Sequence, residues 1–181
     1  RVLGFCTREL SAIRVTDLFR LFFRVAFLMS PPQAVPAGER AFYVGVFSAV
    51  LTYVAALAVD FGVGYALARA VVDIALSGVL FWACLHMAGR QARFQQAFGA
   101  YCGAVAFANA AAFFLYAGGT AGEQTFSIAD FVLLVWNLSL LGHVIRHSFE
   151  LRMSLSIFAA LVYVYVLTTV LFVVLPLPDL A

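Results

Sequence analysis

Nineteen consecutive residues from Ala41 to Val59 carry no charge, and a helix of that length rises roughly 28 Å, close to the hydrocarbon thickness of a bilayer. Four more predominantly apolar stretches follow, from about Leu67 to Ala88, Ala97 to Ala117, Ile128 to Ile145 and Ser154 to Leu175. Gly, Arg, Gln and Glu cluster between them, and Pro176 and Pro178 close the last. The apolar runs are continuous rather than alternating, so they predict helices and not barrel strands. With 65% of residues hydrophobic and 11% charged, and a mean hydropathy of +1.01, too few charges exist to clothe a water-soluble domain. The expected fold class is therefore all-α: a polytopic membrane protein of five transmembrane helices, preceded by an N-terminal amphipathic helix.

Three parts are expected along the chain: residues 1–40, with the amphipathic helix and a Pro-rich linker; residues 41–175, the five-helix domain; and residues 176–181, a short tail. From Thr16 to Met29, Leu18, Phe22, Val25 and Met29 share one helical face, while Asp17, Arg20 and Arg24 fall on the other. Arg14, Arg20 and Arg24 then suit phosphate headgroups, with the rings beneath them in the acyl region. Packing of the same apolar stripe on the protein's own spans is the alternative. Pro31, Pro32 and Pro36 end the helix.

All eleven basic residues are Arg, and their distribution sets the expected orientation. Six precede the first span, Arg90 and Arg93 separate the second from the third, and Arg146 and Arg152 separate the fourth from the fifth. The opposite loops carry Asp60, Glu123 and Asp179 and no Arg. The positive-inside rule makes the Arg side cytoplasmic, placing the N-terminus in the cytoplasm and the C-terminus in the periplasm of a bacterial inner membrane. No signal peptide is evident. A net charge of +2 offers no nucleic-acid-binding face. Cys6, Cys84 and Cys102 form no disulfide framework.

Ionisable and polar residues inside spans are the candidate sites. Arg69 is the one Arg off the Arg-rich side, and Asp73 lies one helical turn on, where the two can pair. Asp130 is a possible second partner for Arg69. Asn109 and Asn137 predict interhelical hydrogen bonds. His143 and His147 share a helical face, and with His86 they are the only metal or haem ligands the sequence suggests; no Cys or carboxylate set joins them at ligand spacing, so no metal and no cofactor are expected. Gly99 and Gly103, with Ala100, Ala104 and Ala108, give the third span a small-residue face for a neighbouring helix or a partner subunit. Trp82 and Trp136 read as packing residues. Loops this short leave no room for a catalytic domain, so no enzymatic activity is expected. A secondary transporter calls for mid-membrane carboxylates, broken helices or an internal repeat, and none is evident.

Five spans, an N-terminal segment on the Arg side, an almost absent C-terminal tail, the turn Gly89-Arg90-Gln91-Ala92-Arg93-Phe94 and the stretch from Trp136 to Arg146 together resemble the bacterial branch of the Yip family. These are five-span membrane proteins whose eukaryotic members interact with Rab GTPases. The Pro-rich segment and the run Gly142-His143-Val144-Ile145-Arg146-His147 also resemble small proteobacterial membrane proteins. The resemblance implies a fold; bacteria lack Rab proteins, so it implies no Rab-binding role. The function expected from the sequence is a non-catalytic membrane scaffold or accessory subunit, with lipids and other integral membrane subunits as partners and no nucleic acid. A small transporter or channel using Arg69, Asp73 and Asp130 is the first alternative, and a metal or haem subunit using His86, His143 and His147 the second.

Overall fold

In the computed structural model, residues 14–117 and 127–176 are described, and they form helices joined by short turns, with no strand among them. The helices are α1 (Val15–Ala26), α2 (Glu39–Phe61), α3 (Val63–Met87), α4 (Phe94–Ala117), α5 (Ile128–Phe149) and α6 (Met153–Val174). Five of them, α2 to α6, are long and apolar enough to cross a membrane. The expected five spans are all present, each within four residues of its predicted ends. Arg1, Cys6, Arg8, Glu123, Pro178 and Asp179 lie outside the described residues.

Each boundary has a local cause. A single residue, Gly62, joins α2 to α3; its φ of 75° lies in the left-handed region, which an L side chain rarely adopts. At the start of α5, Ser127 and Asp130 form a reciprocal capping box. Its far end closes on Glu150, itself left-handed at φ 57°, a conformation that costs a non-glycine residue about 1 kcal/mol. Two guanidinium groups hold Glu150 there, Arg90 at 2.8 Å and Arg93 at 2.9 Å.

Helix α4 is the hub of the bundle, packing on α1, α2, α3 and α5, while α6 packs on α5 and α3. The closest approach is α2 on α4, where a Cβ added to Gly45 would overlap the Gly99 carbonyl and one added to Gly99 would press on the Phe42 backbone. Gly103 serves a different neighbour. Its missing side chain makes room for the ring of Phe22, which is 0% exposed, and a Cβ there would run into that ring. The small-residue face of the third span is thus used within the chain, with Ala100, Ala104 and Ala108 buried beside the two glycines.

Of the two placements open to the amphipathic helix, the bundle wins. Leu18, Phe22, Val25 and Ala26 are buried, Phe23 meets Phe107 edge to face at 5.6 Å, and the Trp136 indole donates to the Ala26 carbonyl at 2.8 Å. Phe107 lies roughly 20 Å along α4 from its Arg-bearing end, so α1 runs down the side of the bundle and the linker climbs back. The return is tied by His143 Nε2 donating to the Ser30 carbonyl (3.1 Å), Gln33 Nε2 to the His147 carbonyl (2.6 Å) and Gln96 Nε2 to the Val35 carbonyl (2.6 Å). Arg14, Arg20 and Arg24 stay exposed on the far side of α1.

Candidate functional site

Asp73 lies roughly 15 Å along α3 from Val63, which is near the middle of a bilayer core rather than at its edge. The ion pair expected with Arg69 does not form: among the described residues the ion pairs are those of Glu150 with Arg90 and Arg93. Arg69 turns outward instead, donating to the Leu175 carbonyl at 2.8 Å and to the Tyr65 hydroxyl at 3.2 Å. A guanidinium near the end of a span reaches toward polar groups at the interface, and here the frayed carbonyls ending α6 supply them. Asp130 is not its partner either. That carboxylate closes the α5 capping box and accepts from the Tyr116 hydroxyl.

Not in direct ion-pair contact with Arg69, Asp73 accepts from the Ser77 hydroxyl at 3.4 Å and from the Tyr53 phenol across from α2, a phenol that Arg69 also reaches. These three line a cavity of about 250 Å³ together with Tyr101, Asn109 and Asn137. Every one of the five spans reaches it, since Tyr53 comes from α2, Asp73 and Ser77 from α3, Tyr101 and Asn109 from α4, Asn137 from α5, and Leu167 closes it from α6. Near its wall the Tyr163 hydroxyl donates to the Ser77 carbonyl at 2.7 Å, fixing α6 to α3.

The two asparagines do not make the interhelical bonds expected of them. Asn137 donates to Leu133 in its own helix at 3.0 Å, which leaves its carbonyl oxygen to the cavity. Asn109 has no hydrogen-bond partner among the described residues. An amide without a partner at membrane depth is costly, and among largely apolar walls the cavity gathers one carboxylate, two amides, two phenols and a hydroxyl, in reach of something small enough to share them.

The histidines do not converge. His143 and His147 stack edge to face at 4.6 Å, whereas His86 lies flat on Trp82 at 5.1 Å, and no three His, Cys, Asp or Glu side chains among the described residues come together as metal ligands. His143 is a strut for the linker. Trp136 packs against the core and on Phe27, as expected of it, and its indole also donates to the last carbonyl of α1.

Sequence reasoning missed Tyr53 and Tyr101 as site residues; a Tyr at mid-span is the signal that was there to use. No family model, no curated protein and no solved structure matches this chain.

Proposed function

We propose that this multi-pass membrane protein binds a small cation, a proton or an alkali metal ion, at Asp73, and that it moves that ion as a small transporter. The observation that carries the reading is a carboxylate at mid-span opening onto a polar cavity to which all five spans contribute. A carboxylate at membrane depth that is held near Arg69 but makes no ion pair with it is incompletely compensated, and a cation that arrives with few waters left relieves that cost. The Asn137 and Asn109 amide oxygens, the Ser77 hydroxyl and the phenols are hard oxygen donors suited to such an ion. Asp130 has no part in this site, whereas Arg69 borders it, bonded to the Tyr53 phenol and close enough for its charge to act on Asp73. The reading treats the protein as bacterial, with the Arg-bearing end cytoplasmic, and as Yip-like in fold.

Purified protein in liposomes, loaded in turn with gradients of H⁺, Na⁺ and K⁺, tests it. Wild-type protein is expected to dissipate one of the three, and Asp73→Asn to slow that flux about tenfold or more, since a charged ligand is worth at least ~1.4 kcal/mol. Equal flux through the wild type and Asp73→Asn would end the proposal.

A scaffold or accessory-subunit role is the second reading, and one observation favours it. Tyr165 on α6 is 71% exposed, roughly 18 Å from Met153, and its hydroxyl meets no partner among the described residues. Thr168 and Thr169 are exposed beside it. A phenol facing hydrocarbon lacks a hydrogen bond that another subunit's helix would supply. Isolation in a mild detergent is expected to recover a stoichiometric membrane partner that Tyr165→Phe releases; recovery of the wild type as a partner-free monomer counts against this role.

A further inference from the structure

At the Arg-bearing end, a polar pocket of about 540 Å³ opens among Gln33, Arg93, Arg146, His147, Glu150 and Leu151. Leu151 also lines a second cavity, of about 350 Å³, between α3, α5 and α6, whose walls include Phe81, Phe149, Phe158, Ala159 and Val166. A cationic pocket at one end of the spans and an apolar groove thus share Leu151 as a common wall.

We propose that the two together hold one anionic phospholipid, its phosphate between Arg146 and Arg93 and one acyl chain in the groove. Charge favours an anion. Glu150 lines the pocket too, but its carboxylate is engaged by Arg90 and Arg93 at 2.8 and 2.9 Å, and those three carry a net positive charge before Arg146 is added. Among the described residues, the one side-chain hydrogen bond of Arg146 is a long one, 4.0 Å to the Met153 sulfur, and its charge lies near the His143 and His147 rings. An exposed guanidinium so lightly held is free to take a phosphate in its fork. Length agrees as well: Phe158 to Val166 covers roughly 12 Å of helix axis, comparable with the ~15 Å of one leaflet's hydrocarbon. A free phosphate would use the pocket and leave the groove idle, whereas a lipid uses both.

The test is native mass spectrometry of the full chain released from nanodiscs of phosphatidylglycerol and phosphatidylcholine in equal parts. Wild-type protein is expected to retain phosphatidylglycerol in preference, and Arg146→Gln to lower the retained fraction about tenfold, as loss of a charge-assisted contact implies. Arg152→Gln, outside the pocket, should leave retention unchanged. Ala159→Leu, which narrows the groove with Arg146 intact, should lower it too and decides the matter if Arg146→Gln does not fold. Equal retention by the wild type and the pocket variants, equal retention of the two lipids, or displacement of the lipid by millimolar inorganic phosphate would each overturn the proposal.

Discussion

On the side of the Arg-bearing end, the bundle buries large side chains: Phe22 fills the space at Gly103, and Phe81, Leu85, Leu140, Leu141 and Val144 are buried as well. Toward the opposite end the buried residues are mostly alanines, Ala56, Ala66 and Ala70, with Leu171 among the few larger ones. There the helices are tied by polar straps, Arg69 to the Leu175 carbonyl, Tyr65 to the Pro176 carbonyl and Tyr116 to Asp130. One half is held by shape and the other by a few hydrogen bonds. The cavity at Asp73 lies between them. Packed walls on one side hold its residues in place, and the lightly packed side is where an ion would enter with least disturbance.

The sharpest way to break that contrast is to delete one large buried side chain from each half. Phe22→Ala is expected to cost about 3–5 kcal/mol, read as a lower unfolding temperature in mild detergent, while Leu171→Ala costs about 2 kcal/mol because its sparse surroundings lose less. Equal losses would erase the distinction. Next in size, Gly45→Val forces α2 off α4 and should cost about 1–3 kcal/mol by overpacking, whereas Gly64→Ala, with open space at its Cβ, should be near neutral in the same assay.

A smaller effect is expected from Arg69→Gln. It frees the Leu175 carbonyl for about 1 kcal/mol, and hydrogen exchange should quicken at the C-terminal end of α6 while the exchange of α4 holds. Smallest of all is an effect of acid. Arg93 and Arg90 hold the Glu150 carboxyl below the usual carboxylate range, so the stabilisation is fully present above the ordinary Glu value and is lost as pH falls through the lower folded value. Corrected for the intrinsic pH dependence of exchange, the amide protection factors around residues 148–152 should therefore stay constant from neutral pH to about pH 5 and fall only in stronger acid.

Where the sequence was legible, the bilayer explains why. Backbone groups in lipid must be satisfied within the segment, so a run of about twenty apolar residues has one outcome, and the five spans follow. Amphipathicity likewise marked α1 and its buried stripe. What it left open was the surface beneath, because the same row of Leu18, Phe22 and Val25 is satisfied by acyl chains or by a helix with glycines in it.

The candidate site was legible as single residues and not as a site. Asp73, Asn109 and Asn137 stood out as polar groups in apolar runs, but the nearest opposite charge in sequence, Arg69, acts on Asp73 from a distance and through Tyr53 rather than as an ion pair. Spans that are apolar on every side carry no stripe to say which face turns inward, so nothing in one dimension reports that Tyr53, Asp73, Tyr101, Asn109 and Asn137 look into a common space.

The amino-acid order alone determined that the chain carries five segments long and apolar enough to cross a membrane, because desolvation acts on each segment by itself. Which helices touch, where α1 lies and what faces Asp73 were decided only by the tertiary structure, because side-chain volumes select helix rotations jointly, as Phe22 and Gly103 do, and no single segment holds that information.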